Sequence, residues 1–321
     1  ATAESNAAID NILERLMENK KLNLTRLGHP QRVSKNNIAY SLAYKVENHE
    51  LNKRIKKIHK KIDKLIEKRS NFTKPTPQYR RGFSDHDILY YASKGKGGRG
   101  ISAEKMKSMA NWLDYNLEID EMHDEIKRVE NKMIKDIVET SDVILSTNSS
   151  AALDSIANTK FDVVIVDEAS QATIPSVLIP IAKARRFILA GDHKQLPPTI
   201  ISDRAYDLQD TLFESLIEKY PHKSQLLNVQ YRMNKVLMEF PNSEFYDNNL
   251  KSDKSVNNIT LKDISDVEDD DALLFIDTCN LEKNHEKHLK DSKSIVNHIE
   301  ARIAIKVATD YIKAGVSEKD I

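Results

Sequence analysis

The chain has 321 residues, room for about two domains of ordinary size, and its 49 Lys and Arg balance 49 Asp and Glu to a net charge of zero. A hydrophobic fraction of 40% beside 31% charged residues excludes a disordered chain, and no apolar run reaches the roughly 18 residues that a membrane span requires. A single cysteine, Cys279, excludes an internal disulfide and a cysteine-built zinc site; with no signal-like opening, an intracellular protein is expected, cytoplasmic or, in a eukaryote, nuclear. Cys279 itself is expected to be a small buried residue.

Gly and Pro together make up only 17 of the 321 residues, which predicts long uninterrupted helices. Three zones follow in order. The outer two alternate strand-like apolar runs with amphipathic stretches; the middle one, from about Tyr44 to Thr140, is nearly all helix. There Leu51, Ile55, Ile58, Ile62 and Leu65 fall at 4-3-4-3 spacing on one helix face. Trp112, Tyr115, Ile119, Met122, Ile126, Val129 and Met133 repeat that spacing. An antiparallel helical hairpin is expected, with arms of roughly 35–45 Å joined by a loop containing Pro75, Pro77 and the glycines 95–100.

This middle zone is basic. Lys45 to Lys107 carries 18 Lys and Arg against 7 Asp and Glu, and Lys53 to Arg69 alone has nine bases and two acids. Arg80, Arg81, Lys94 and Arg99 stand in what read as flexible loops beside aromatic residues. Such surfaces attract phosphate backbones by counterion release, and rings stack on unpaired bases. A solvated helix face explains the lysine run equally well.

In the third zone Asp142–Thr147, Phe161–Asp167 and Arg186–Asp192 are short, continuously apolar, β-branched runs, as expected of parallel strands covered on both faces by helices. A further strand is expected at Ala272–Asp277, after an acidic stretch that reads as a joint. A closing helix is expected over about 295–314, stopped by Gly315. His285, His288 and His298 near Glu286 lack an H-E-x-x-H pattern and read as a solvated surface.

Chemistry concentrates at strand ends. Asp167-Glu168 closes a hydrophobic strand, where ligands of parallel sheets bind. One carboxylate there can hold magnesium on a nucleotide while its neighbour positions or deprotonates water. The next strand runs into Gly191-Asp192-His193-Lys194-Gln195-Leu196-Pro197-Pro198, a stiff loop whose Gln195 is placed to meet a γ-phosphate or the attacking water. Further on, Gln230-Tyr231-Arg232-Met233 offers a ring for stacking and an arginine for transition-state charge. Alone, a Tyr-Arg pair carries little information.

Together, Val163-Val-Ile-Val-Asp-Glu-Ala-Ser-Gln-Ala172, Leu189-Ala-Gly-Asp-His-Lys-Gln-Leu-Pro-Pro198 and Gln230-Tyr-Arg-Met233 resemble motifs II, III and IV of superfamily 1B helicases. The resemblance is to the branch containing the nonsense-mediated-decay and immunoglobulin-mu-binding helicases. Ala1–Asp10 is similar to motif Ia, Arg26-Leu-Gly-His-Pro30 to the phrase that follows it, and Leu145-Ser-Thr-Asn148 to motif Ic. The resemblance implies an α/β, RecA-like parallel sheet of the P-loop NTPase type with a long helical-hairpin insertion. Residues 1–43 would start the first RecA-like domain, 44–140 form the basic insertion, 141–250 complete that domain and run into motif IV, and 251–321 start the second. It further implies ATP and Mg2+ as cofactors: Asp167 for the metal, Glu168 for water, Asp192 at the nucleotide, Gln195 for the γ-phosphate, Arg232 as an arginine finger and Tyr231 against adenine. Ser5, Asn6 and Thr147 would touch single-stranded DNA or RNA, traversed 5′ to 3′; no regulatory protein partner is specified.

The glycine loop G-x-x-x-x-G-K-[ST] does not occur in the sequence, nor do motifs V and VI. The chain therefore reads as a central helicase fragment that hydrolyses ATP negligibly by itself. The alternative is a non-enzymatic single-strand-binding module derived from a helicase; a metal-dependent nuclease is a third and weaker fit.

Overall fold

The computed structural model describes residues 1–263, 265, 271–282, 285–289 and 294–321, which divide into two compact units, 1–221 and 222–321.

The first unit is built on five parallel strands, β1 (Thr2–Ala3), β2 (Leu24–Arg26), β3 (Val143–Thr147), β4 (Phe161–Val166) and β5 (Ala184–Leu189), in the order β2-β3-β1-β4-β5. Helix α1 (Asn6–Met17) crosses from β1 toward β2 and buries Ile9 and Leu13 against Ala3, Leu24 and Leu145. Below α1 lies an ionic cluster. The fully buried Arg26 meets Asp10 at 3.2 Å, donates to Asn6 Oδ1 at 2.8 Å and to the Leu27 carbonyl, and the second Asp10 oxygen accepts from Ser34 N at 2.9 Å.

Between β2 and β3 the chain leaves the sheet through α2 (Leu42–Glu47), α3 (Asn52–Ser70), α4 (Pro77–Arg80), α5 (Asp85–Ser93) and α6 (Ala103–Thr140). The two periodic stripes meet as expected. Ile55, Ile58, Ile62 and Leu65 of α3 pack on Ile119, Ile126, Val129 and Met133 of α6. The arms are unequal, however. The 19 residues of α3 extend about 28 Å and the 38 of α6 about 57 Å. The difference is the connection, which is a folded cap rather than a flexible loop. Phe83, Ile88 and Ile101 bury themselves against Met106, Met109 and Ala110 in the first turns of α6. Two left-handed arginines lock the cap: Arg81 donates to the Arg99 carbonyl at 3.0 Å and Arg99 to the Arg81 carbonyl at 3.2 Å. Arg99 also stacks 4.5 Å from the centre of the Phe83 ring.

Helix α7 (Ile174–Ile181) and α8 (Leu212–Lys219) complete this unit. Val164 and Val166 are buried with Val177, but the alternate residues Ile165 and Ile188 are 44% and 55% exposed. The apolar runs were expected to be covered twice; among the described residues, helices cover β4 and β5 on one face only.

In the second unit β6 (Val229–Gln230) pairs parallel to β7 (Lys251–Ser252), with α9 (Lys235–Phe245) between them. β8 (Lys287–His288) pairs antiparallel to β9 (Ile295–Val296), and α10 (His298–Lys313) follows. Gly315, at φ +96°, ends α10: its N–H donates to Ile312 O and that of the buried Val316 to Tyr311 O, the paired bonds of a Schellman cap. The expected strand at Ala272–Asp277 is absent: Leu273, Leu274 and Phe275 are exposed and pair with no strand among the described residues. Residues 264 and 266–270 of the acidic joint lie outside the described residues. Cys279 is exposed rather than buried. Its S–H donates to Asp277 Oδ2 at 3.1 Å, and that bond raises the thiol pKa.

Candidate functional site

Parallel strands put all their carboxyl ends on one edge of the sheet, and four neighbouring ends here carry the expected residues. Ala3 of β1 lies beside Thr147 of β3, Thr2 beside Val166 of β4, and Val166 beside Leu189 of β5. Ser5, Asn6 and Thr147 therefore emerge from β1 and β3, and Asp167, Glu168, Asp192 and Gln195 from β4 and β5. Tyr231 and Arg232 stand in the second unit.

The β4 and β5 loops are stitched together beyond the strands. Ala190 N donates to Val166 O and Ala169 N to Ala190 O, both at 2.8 Å, and the buried Ser170 hydroxyl accepts from Asp192 N at 3.0 Å. A Cβ on Gly191 would lie 2.9 Å from both Ser170 N and Ser170 Oγ, so only glycine permits this approach. Glu168 adopts a left-handed backbone, φ +53° and ψ +37°, uncommon for a residue with a side chain. Its carboxylate accepts from Gln171 Nε2 at 3.2 Å, and Gln195 Nε2 donates to Asp192 Oδ2 at 2.8 Å. Among the described residues no hydrogen bond or ion pair engages the Asp167 carboxylate, which is half-buried.

At the other end of the edge, Ser5 caps α1 by accepting from Ala8 N at 3.1 Å, and Asn6 is held by Arg26. Thr147 bonds Ser150 Oγ at 2.8 Å. Glu4 Oε2 accepts from Asn148 Nδ2 at 3.1 Å and Ser176 Oγ at 2.6 Å, linking the ends of β1 and β3 to α7. In the cap of the insertion, Arg80 is tied to Pro75 O and Asp85, Arg81 and Arg99 are tied to each other, and Lys94 lies 5.9 Å from the Tyr90 ring centre.

In the second unit Gln230 builds the turn. Its Oε1 accepts from Arg232 N at 2.8 Å and Met233 N at 2.9 Å, while Nε2 donates to Met233 O and Ser252 Oγ. Tyr231, 66% exposed, and Arg232 are thereby presented outward. Nothing in the sequence marks Ser170, Gln171 or Gln230 as functional beyond their position inside the motif blocks.

Residues 1–203 match a family model described as an AAA domain, and residues 208–321 match a second model of the same description. The parallel α/β sheet thus goes with two matches to the AAA domain family, which together take in nearly the whole chain. A Methanocaldococcus jannaschii protein named as an uncharacterized ATP-dependent helicase is 44% identical over 321 residues, 98% of this chain and 48% of that protein. Mouse DNA-binding protein SMUBP-2 is 33% identical over 332 residues, 99% of this chain and 30% of its own length. The ATP-dependent helicase NAM7 of Saccharomyces cerevisiae is 32% identical over 231 residues, 70% of this chain and 23% of its length. The chain belongs to the superfamily 1 helicases, in the branch that contains these proteins, and spans half or less of the length of each.

Proposed function

We propose that this chain is the central part of an ATP-dependent helicase or translocase that moves 5′ to 3′ along single-stranded DNA or RNA. The observation that carries the reading is the shared sheet edge: the Asp167-Glu168 pair and the Asp192–Gln195 loop leave adjacent strands and are latched through Ser170. Single-strand candidates occupy the two strand ends beside them.

In this reading Glu168 orients and deprotonates the attacking water, and Gln171 fixes its carboxylate. Gln195 moves from Asp192 to the γ-phosphate when nucleotide is present. Arg232 stabilises charge on the transferring phosphoryl group, an effect worth about 10³–10⁵ in rate, and Tyr231 stacks on the base. Magnesium ordinarily uses one or two carboxylates and retains water and phosphate ligands, which fits Asp167 as the residue that would hold it, with Asp192 at the nucleotide. No group of three or more His, Cys, Asp or Glu among the described residues forms a cage that could hold the ion alone. Bound there, the ion would neutralise phosphate charge. Ser5, Asn6 and Thr147 contact the strand backbone, with Arg80, Arg81, Lys94 and Arg99 as further contacts. In the domain plan, residues 1–43 and 141–250 form the first motor lobe into motif IV, 44–140 insert, and 251–321 begin the second lobe.

The test is Glu168→Gln in the full-length polypeptide. Turnover is expected to fall by about 10³ or more with nucleotide binding retained, because the phosphate contacts remain while the base is lost. The 321-residue chain alone, whose sequence holds no G-x-x-x-x-G-K-[ST] loop, is expected to turn over ATP negligibly. Turnover unchanged by Glu168→Gln would sink the motor assignment; strand binding with no turnover in the full-length polypeptide would establish the module without an engine.

A further inference from the structure

Arg80, Arg81 and Arg99 of the insertion are engaged in holding its cap, whereas the lysines of α3 are in no ion pair among the described residues. Lys53, Lys56, Lys57, Lys60, Lys61, Lys64 and Lys68 are all exposed on α3. Five of them, Lys53, Lys57, Lys60, Lys64 and Lys68, repeat at 4-3-4-4 spacing. At 3.6 residues per turn these lie within an arc of about 80°, opposite the buried Ile55, Ile58, Ile62 and Leu65. They form a straight cationic line about 22 Å long.

A face that only needs solvation does not require this. Lysines three and four apart repel one another and weaken the helix, and interleaved acids would relieve them. Helix α6 has that mixed pattern, with ten acids and six bases in its 38 residues. On α3 the acids between Lys53 and Arg69 are Asp63 and Glu67, at the margin of the stripe. Across the seam, Arg54 pairs with Glu125 at 2.5 Å, marking where the acidic flank of α6 begins.

We propose that the outer face of α3 is a binding track for the phosphodiester backbone of a single nucleic-acid strand, outside the contacts at the sheet edge. The assignment rests on the motor reading above and extends its grip to the stalk. A single strand can run straight along the line and release counterions to each lysine. A duplex backbone winds away from a straight stripe, and its second strand would approach the Glu125 side of α6. The track contains no base-reading group, so DNA and RNA strands serve equally.

The experiment titrates labelled oligo-dT and oligo-U of about 20 nucleotides, long enough to cover the stripe, into the 321-residue chain across about 50–200 mM salt. The variant carries Lys53→Gln, Lys57→Gln, Lys60→Gln, Lys64→Gln and Lys68→Gln; a control carries Lys127→Gln, Arg128→Gln and Lys132→Gln on α6. Neutralising the stripe is expected to weaken both strands by about tenfold or more and flatten the log–log salt slope by about three units. The control should leave affinity and slope near wild type, and an undiminished melting temperature shows that the stripe variant folds. An unchanged slope, an equal loss in the control, or tighter duplex binding through the same lysines overturns the proposal. So does a salt-sensitive dimer abolished by the variant with strand binding intact, which would assign the stripe to a second copy's acidic α6. None of these outcomes touches the Glu168→Gln result, so failure of the track and failure of the motor remain separate.

Discussion

Arg26 is the residue whose placement constrains most around it. It is completely buried, and its guanidinium reaches Asp10, Asn6 and the Leu27 carbonyl. Removing one partner of a buried pair leaves an uncompensated charge, which costs about 3–5 kcal/mol, while replacing both by apolar groups costs much less. Asp10→Ala is therefore expected to lower stability by that amount in urea denaturation, and Asp10→Leu with Arg26→Met by less. A double variant worse than Asp10→Ala would show that the pair stabilises on balance. The Asp167-Glu168 pair was legible because strand and carboxylates adjoin in sequence. Arg26 was legible only as part of a phrase, since its partner lies sixteen residues back on another element. Ser170, Gln171 and Gln230 escaped notice because a polar side chain that shapes its own loop has the same sequence signature as one that faces solvent.

At the scale of elements, the cap of the stalk depends on a start signal for α5. Ser84 Oγ accepts from Asp87 N at 3.1 Å, and Asp87 Oδ2 accepts from Ser84 N at 3.0 Å and from its hydroxyl at 2.7 Å, a reciprocal capping box. The Ser84 hydroxyl bond, then the Ser84 backbone bond, hold the Asp87 carboxyl below its ordinary value of 3.8. A lowered folded-state pKa contributes stability above the unfolded value and loses it as pH falls through the folded one. Wild type is thus expected to protect α5 amides from exchange better than Asp87→Asn above that range, with the difference vanishing in stronger acid. Ser84→Ala should cost about 1 kcal/mol at neutral pH. Equal protection at neutral pH would show that the box does not hold the cap. The stalk stripes were legible because 4-3 spacing is a direct image of a buried helix face. The cap was not, because its core residues Phe83, Ile88 and Ile101 are scattered among Pro, Gly and Arg, a composition shared with open loops.

Across the whole molecule, the burial of apolar side chains is uneven, and stability should follow it. All five hydrophobic clusters found among the described residues lie within residues 1–221, from Ala3 to Phe213. In residues 222–321 the buried apolar side chains among those described are Met238 and Val316, while Phe240, Phe245, Leu273 and Phe275 are exposed. Ordering a residue costs about 1–2 kcal/mol in backbone entropy, and burial of apolar surface returns only about 25 cal/mol per Å². The first unit has the core to offset that cost. The sheet's strands were legible for the same reason: runs such as Val163–Val166 carry enough apolar surface to specify a buried element. The run Ala272–Ile276 is equally apolar, but no described strand receives it, so its composition alone misled. Residues 1–221 produced alone are therefore expected to unfold in one cooperative transition, with a denaturant slope scaling with their size. Residues 222–321 produced alone should show a shallow transition with a slope well below that of a compact domain of their length. A steep, two-state unfolding of the second piece would mean that it folds around a core of its own and that its exposed apolar residues are not the measure of its stability.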